Sequence, residues 1–180
     1  MIVIGCGPAG LQAAIHSARA KASTVVVGRL ESSAAYAATM ENIFGMVSGD
    51  MTSALMDGYR QAKSFGATMM DQNIISAATE GDRFVITVES GEVIKAKAVV
   101  LATGVSRVKL NVPGEKELYG KGVSYCASCD CNFYKGKRVV VVGSQSEAAV
   151  SAELMTKYAS ETSWVSKDPE VDSKLMDAAV

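Results

Sequence analysis

The chain has 180 residues, 48% of them hydrophobic, and a formal net charge of -1. That apolar share can build a real core, and the balanced charge removes the electrostatic basis for holding nucleic acid or an anionic membrane surface. No apolar run reaches bilayer-spanning length and no basic segment with a cleavage site opens the chain, so the expectation is a cytoplasmic α/β protein.

Ile2-Val3-Ile4 reads as a buried parallel strand, Gly5-Cys6-Gly7-Pro8-Ala9-Gly10 follows at once, and Leu11 to Ala20 reads as an alanine-rich helix. This is G-x-G-x-x-G in the strand-turn-helix setting of a dinucleotide site. Gly5 makes the tight turn, Gly7 lets backbone N–H groups approach a pyrophosphate, and Gly10 lets helix and strand pack closely. A second strand at Thr24-Val25-Val26-Val27 completes the β-α-β unit. The acid expected at its end is displaced: Gly28 and Arg29 come first, and Glu31 is the nearest carboxylate for a ribose hydroxyl. Cys6 reads as a small buried filler and His16 as a packed or surface imidazole.

Leu55 to Phe65 has helical spacing and ends at Gly66. From Arg83 to Ala98 the pattern is strands around a Ser90-Gly91 turn. Val99-Val100-Leu101 is a further buried strand, closing on Ala102-Thr103-Gly104, where either a close backbone approach to a ligand or a plain turn explains the glycine. Pro113-Gly114-Glu115 marks a turn before a polar connector, and Arg138-Val139-Val140-Val141-Val142-Gly143 opens a second α/β unit. Two domains are expected, over residues 1–115 and 116–180.

Cys126-Ala127-Ser128-Cys129-Asp130 lies between them. Two cysteines two residues apart make a dithiol that can open and close, and a helix start lowers a thiol pKa. Zinc is the rival reading, through Cys126, Cys129 and Cys131. A fourth ligand is lacking nearby, since Cys6 in the first turn and His16 in the helix after it lie far upstream.

In order and spacing, Gly5 to Gly10, Glu41-Asn42 with Gly45, Ala102-Thr103-Gly104, Pro113-Gly114-Glu115, Gly120-Lys121-Gly122-Val123-Ser124-Tyr125 and Cys126 to Asp130 resemble the low-molecular-weight thioredoxin reductases. The resemblance implies a three-layer, Rossmann-like FAD-binding domain followed by the start of a second Rossmann-like domain carrying the CxxC. It implies FAD contacts from Gly5, Gly7, Pro8, Ala9, Gly10, Glu31, Asn42, Ala102, Thr103 and Gly104. Cys129 would face the flavin, Cys126 would attack the disulfide of a thioredoxin-like partner, and Asp130 would act as general acid and base. The full-length family members are homodimers.

The departures from that pattern matter as much. The second turn reads Gly143-Ser144-Gln145-Ser146-Glu147-Ala148, with Gln145 where a glycine should admit the pyrophosphate and Glu147 adding negative charge. The arginines that would grip the 2'-phosphate of NADPH are replaced by Ser166-Lys167-Asp168-Pro169. NADPH is therefore doubtful, and ferredoxin or a deazaflavin is the expected donor. The chain also ends inside the implied second domain, without the family's return segment, so the expectation is an N-terminal portion of a longer reductase. The alternatives are a non-catalytic nucleotide-binding remnant and a metal-binding CxxCxC module.

Overall fold

The computed structural model describes residues 1–36, 38–40 and 42–167. The chain divides into two compact units, Met1–Ser106 and Arg107–Val180.

The first unit runs β1 (Ile2–Ile4), α1 (Pro8–Arg19), β2 (Val25–Val27), α2 (Met51–Ser64), β3 (Thr68–Met70), β4 (Ile74–Glu80), β5 (Arg83–Val88), β6 (Val93–Ala96) and β7 (Val99–Leu101). A parallel sheet has the order β3-β2-β1-β7, and β4-β5-β6 form an antiparallel sheet. Successive side chains on a strand point to opposite faces, and β1 shows what this does. Val3, together with Val26 of β2, meets Leu11, Ala14, Ile15 and Ala18 of α1 and Met51, Leu55 and Ala62 of α2. Ile2, together with Val27, meets Ile86, Val88 and Ala96 of the antiparallel sheet. Helices, parallel sheet and antiparallel sheet thus form three layers, the expected Rossmann-like arrangement. Each fully buried valine or isoleucine in this sandwich contributes about 1.5–3 kcal/mol.

Local chemistry sets the element ends. Pro8 opens α1, where its missing N–H costs no helical bond. The helix α2 begins at Met51, ahead of the expected Leu55, because the Asp50 carboxylate accepts the Thr52 N–H at 3.0 Å and caps it.

The second unit contains α3 (Ala127–Asp130), β8 (Arg138–Val142), α4 (Ser146–Thr156) and β9 (Glu161–Val165). Strands β8 and β9 pair in parallel from Arg138↔Glu161 to Val142↔Val165, and α4 buries Ala149, Ala152 and Met155. This is the second β-α-β unit. The division between units falls at Ser106/Arg107, earlier than the expected 115/116, and two interactions give the reason. Arg107 pairs with Glu147 at 2.7 Å, and Glu115 gathers the backbone of Leu110 and Asn111 together with Tyr125. Among the described residues no helix is long and apolar enough to cross a membrane.

Candidate functional site

The first turn is built by close backbone approach. Gly5 has φ +110, and a Cβ there would lie 2.2 Å from the Ala102 carbonyl oxygen. A Cβ on Gly10 would lie 1.9 Å from the Gly5 carbonyl oxygen. Neither position admits a side chain. Gly7 is the N-cap of α1 and no side chain caps it, so the first-turn N–H groups, one fewer for Pro8, are left without a capping side chain, as an anion-binding helix start requires. The Ala102 N–H donates to the Ile4 carbonyl at 2.8 Å, so Ala102, Thr103 and Gly104 leave β7 beside this turn, the last two exposed. The structure thereby brings together Gly5, Gly7, Pro8, Ala9, Gly10 and Ala102 to Gly104. Donor set and glycine cradle fit the pyrophosphate of a dinucleotide such as FAD.

Glu31 lies exposed on a short 3₁₀ turn, Leu30–Ser32, just past β2. Its charge is felt at Cys6, whose buried thiol is pushed up to about 11 by desolvation first, then by Asp71 and Glu31. Arg29, closer to the strand end, is held by Glu89 and Asp71. Asn42 sits exposed on the segment that leads to Asp50, and Glu41 lies outside the described residues. His16 is exposed on α1.

In the second unit Cys126 and Cys129 form a disulfide, with Cα atoms 5.3 Å apart. Cys126 is the N-cap of α3, and its carbonyl accepts the N–H groups of Cys129 at 3.2 Å and Asp130 at 3.1 Å. Ser124, given no role from the sequence, connects this turn to Asp130. Its hydroxyl accepts the Cys126 N–H at 3.1 Å and donates to Asp130 Oδ2 at 2.5 Å. Cys131 is buried, and its contact with the Tyr158 hydroxyl raises that phenol's pKa. A cleft of about 290 Å³ opens beside Cys126, lined by Arg107, Ser128, Glu147, Val150 and Leu154 among others. Among the described residues, no group of three or more His, Cys, Asp or Glu is placed to hold a metal ion.

The second turn is hydrogen-bonded by side chains from outside it. Gln145 is the N-cap of α4. The Trp164 indole N–H donates to the Gly143 carbonyl at 2.8 Å, the Ser166 hydroxyl to Ser144 Oγ at 3.1 Å, and Arg107 to Glu147 at 2.7 Å. Of the stretch expected to replace the arginine clamp, Asp168 and Pro169 lie outside the described residues.

A three-layer fold with a glycine-cradled turn, followed along the chain by a disulfide-forming CxxC, is the pattern of flavoprotein-type disulfide oxidoreductases, and the comparisons agree. The pyridine nucleotide-disulphide oxidoreductase family matches residues 1–180, and the chain belongs to that family. It is 39% identical over 163 residues to a thioredoxin reductase of Streptomyces clavuligerus, covering 88% of this chain and 51% of that protein. The solved thioredoxin reductase from Giardia duodenalis superposes with a TM-score of 0.90 at 31% identity, covering 98% of this chain and 59% of that one. The atypical thioredoxin reductase TRi from Desulfovibrio vulgaris Hildenborough is 37% identical, with a TM-score of 0.53, covering 98% of this chain and 60% of that one. The chain spans about half the length of the curated thioredoxin reductases it matches, 51% of the Streptomyces and 52% of the Bacillus subtilis protein.

Proposed function

We propose that the chain is part of a flavin-dependent disulfide reductase that hands electrons through the Cys126/Cys129 pair to a thioredoxin-like protein. The observation that carries this reading is the disulfide at the head of α3, with Asp130 anchored through Ser124. FAD bound at the Gly5 to Gly10 turn, with Glu31, Asn42 and Ala102 to Gly104 around it, would supply the electron pair. Two electrons and two protons convert the disulfide to the dithiol. Cys126, which lines the open cleft, then attacks one sulfur of the partner's disulfide as a thiolate. Cys129 resolves the mixed disulfide, restoring the Cys126–Cys129 bond and releasing the partner as a dithiol. Asp130 carries the proton taken from and returned to the sulfurs.

The donor in this proposal is ferredoxin or a deazaflavin, and the full-length protein works as a homodimer. NADPH does not fit the second turn, because Gln145 replaces the glycine that would admit phosphate and Glu147 puts a carboxylate in the first turn of α4. The test is direct: reduce the purified chain, remove the reductant, add oxidised thioredoxin, and count thiols on each protein by alkylation and mass. Thioredoxin should gain two thiols as the chain loses two and re-forms its Cys126–Cys129 disulfide, Cys126→Ser should abolish the transfer, and Cys131→Ser should leave it intact. Transfer that survives Cys126→Ser would overturn the proposal.

A further inference from the structure

Glu115 is a carboxylate in the wrong place for a surface acid. It is only 7% exposed, and its oxygens accept the Leu110 N–H at 2.9 Å, the Asn111 N–H at 2.6 Å and the Tyr125 hydroxyl. Burying an ionised group is costly unless hydrogen bonds replace its water, and these three donors do so. Asn111 adopts φ +58, a left-handed conformation, and this turns its N–H into the carboxylate. Gly114 at φ +86 and the bond from the Glu115 N–H to the Val112 carbonyl close the same loop. On its other side Tyr125 packs against Tyr119, with ring centroids 5.5 Å apart, and Tyr119 bridges to Val123.

This knot ends one peptide bond from the chemistry, because Tyr125 is followed by Cys126. The Cys126 carbonyl receives the N–H groups that form α3, so whatever fixes the backbone at Tyr125 fixes the start of the turn that holds both sulfurs. Shape alone could have been met by apolar packing, which is often at least as stabilising as a buried charge. A buried carboxylate gripping a phenol is directional instead: it sets where the hydroxyl, and hence the Tyr125 backbone, must lie.

We propose that Glu115 and Tyr125 are positioning residues for the dithiol, together holding the Cys126 turn in the geometry that lets the pair close. The inference rests on reading Cys126 and Cys129 as the working pair. The hydrogen bond is felt by both partners: it pushes the Tyr125 phenol up to about 12 and holds the Glu115 carboxyl below its ordinary range.

The test is the equilibrium between dithiol and disulfide. The chain is equilibrated in mixtures of reduced and oxidised glutathione, quenched with an alkylating reagent, and the Cys126–Cys129 disulfide is quantified by mass. Tyr125→Phe keeps the ring and removes the donor, and it should lower the closure constant by about threefold or more, the scale of one net hydrogen bond partly coupled to the turn. Tyr119→Phe, which keeps the ring pair, should leave the constant unchanged, whereas Glu115→Gln should lower it. Equal closure constants in the wild type, Tyr125→Phe and Glu115→Gln would overturn the inference, as would a drop in Tyr119→Phe equal to that in Tyr125→Phe. A shifted constant in a chain that never reduces thioredoxin would overturn the proposed function and leave the positioning role standing.

Discussion

Trp164 donates its indole N–H to the carbonyl of Gly143 at 2.8 Å, so the end of β9 is tied to the glycine of the turn between β8 and α4. Trp164 is the single tryptophan of the chain. The fold has placed a fluorescent reporter beside the turn between β8 and α4.

Adding NADPH should leave the emission of Trp164 unchanged, because the turn is engaged with Trp164, Ser166 and Arg107 and carries the Glu147 carboxylate. The triple variant Gln145→Gly, Ser166→Arg, Lys167→Arg should tighten NADPH by about tenfold or more, since charge-assisted hydrogen bonds contribute roughly 1.5–3 kcal/mol each. Saturable quenching of the unmodified chain at micromolar NADPH would contradict the proposed donor.

Denaturing alkylation should count two free thiols in the oxidised chain, those of Cys6 and Cys131, and four after reduction. Cys129→Ser should give three in both states. A mass increment placing Cys131 in the disulfide would assign the pair differently.

Stability should depend on pH through the Glu115–Tyr125 bond at both extremes. The Tyr125 hydroxyl is the main cause of the lowered Glu115 pKa, so that contribution is present above the ordinary carboxylate range and fades as pH falls through the folded value. Tyr125 is raised to about 12, so its contribution is whole below the ordinary phenol pKa of about 10 and is lost as pH rises through 12. In Tyr125→Phe, thermal midpoints should vary less at both ends, and the tyrosinate absorbance titration should lose its component near 12.

Gly10→Ala should destabilise the first unit by about 1–3 kcal/mol or more, because the new methyl meets a fixed carbonyl rather than a movable side chain. Gly58→Ala is the matched control. Its methyl would meet the tip of the Leu11 side chain at 3.3 Å, a far milder contact than a backbone carbonyl, and the gain in helix propensity of about 1 kcal/mol works against its cost. Urea midpoints report both, and equal midpoints for the two variants would refute the account of the turn.

The first turn and the dithiol were legible in the sequence because each rests on local pattern, whereas the three-layer fold came from the family resemblance. Glycines at fixed spacing, alternation in Phe84, Ile86 and Val88, and a cysteine pair all act within a few residues. Strand β3 was not foreseen: Thr68-Met69-Met70 has no alternation, and it becomes a strand only through pairing with β2. Strand β9 escaped for a different reason: its Thr162 and Trp164 alternate with exposed Glu161 and Ser163, but over a run too short to declare a period. Glu115 and Ser124 were visible as motif residues without a task. Their tasks depend on folding back across ten and six positions, to Tyr125 and Asp130, and a chain order does not reveal that.

The Cys126–Cys129 crosslink spans a sequence separation of 3. Closing so short a loop removes only about 2 kcal/mol of chain entropy from the unfolded state, against about 4.7 for a loop of a hundred residues. The unit is held by the packing of Ala149, Ala152 and Met155 instead. A bond that carries so little of the scaffold's weight can open and close while the packing of Ala149, Ala152 and Met155 stays intact.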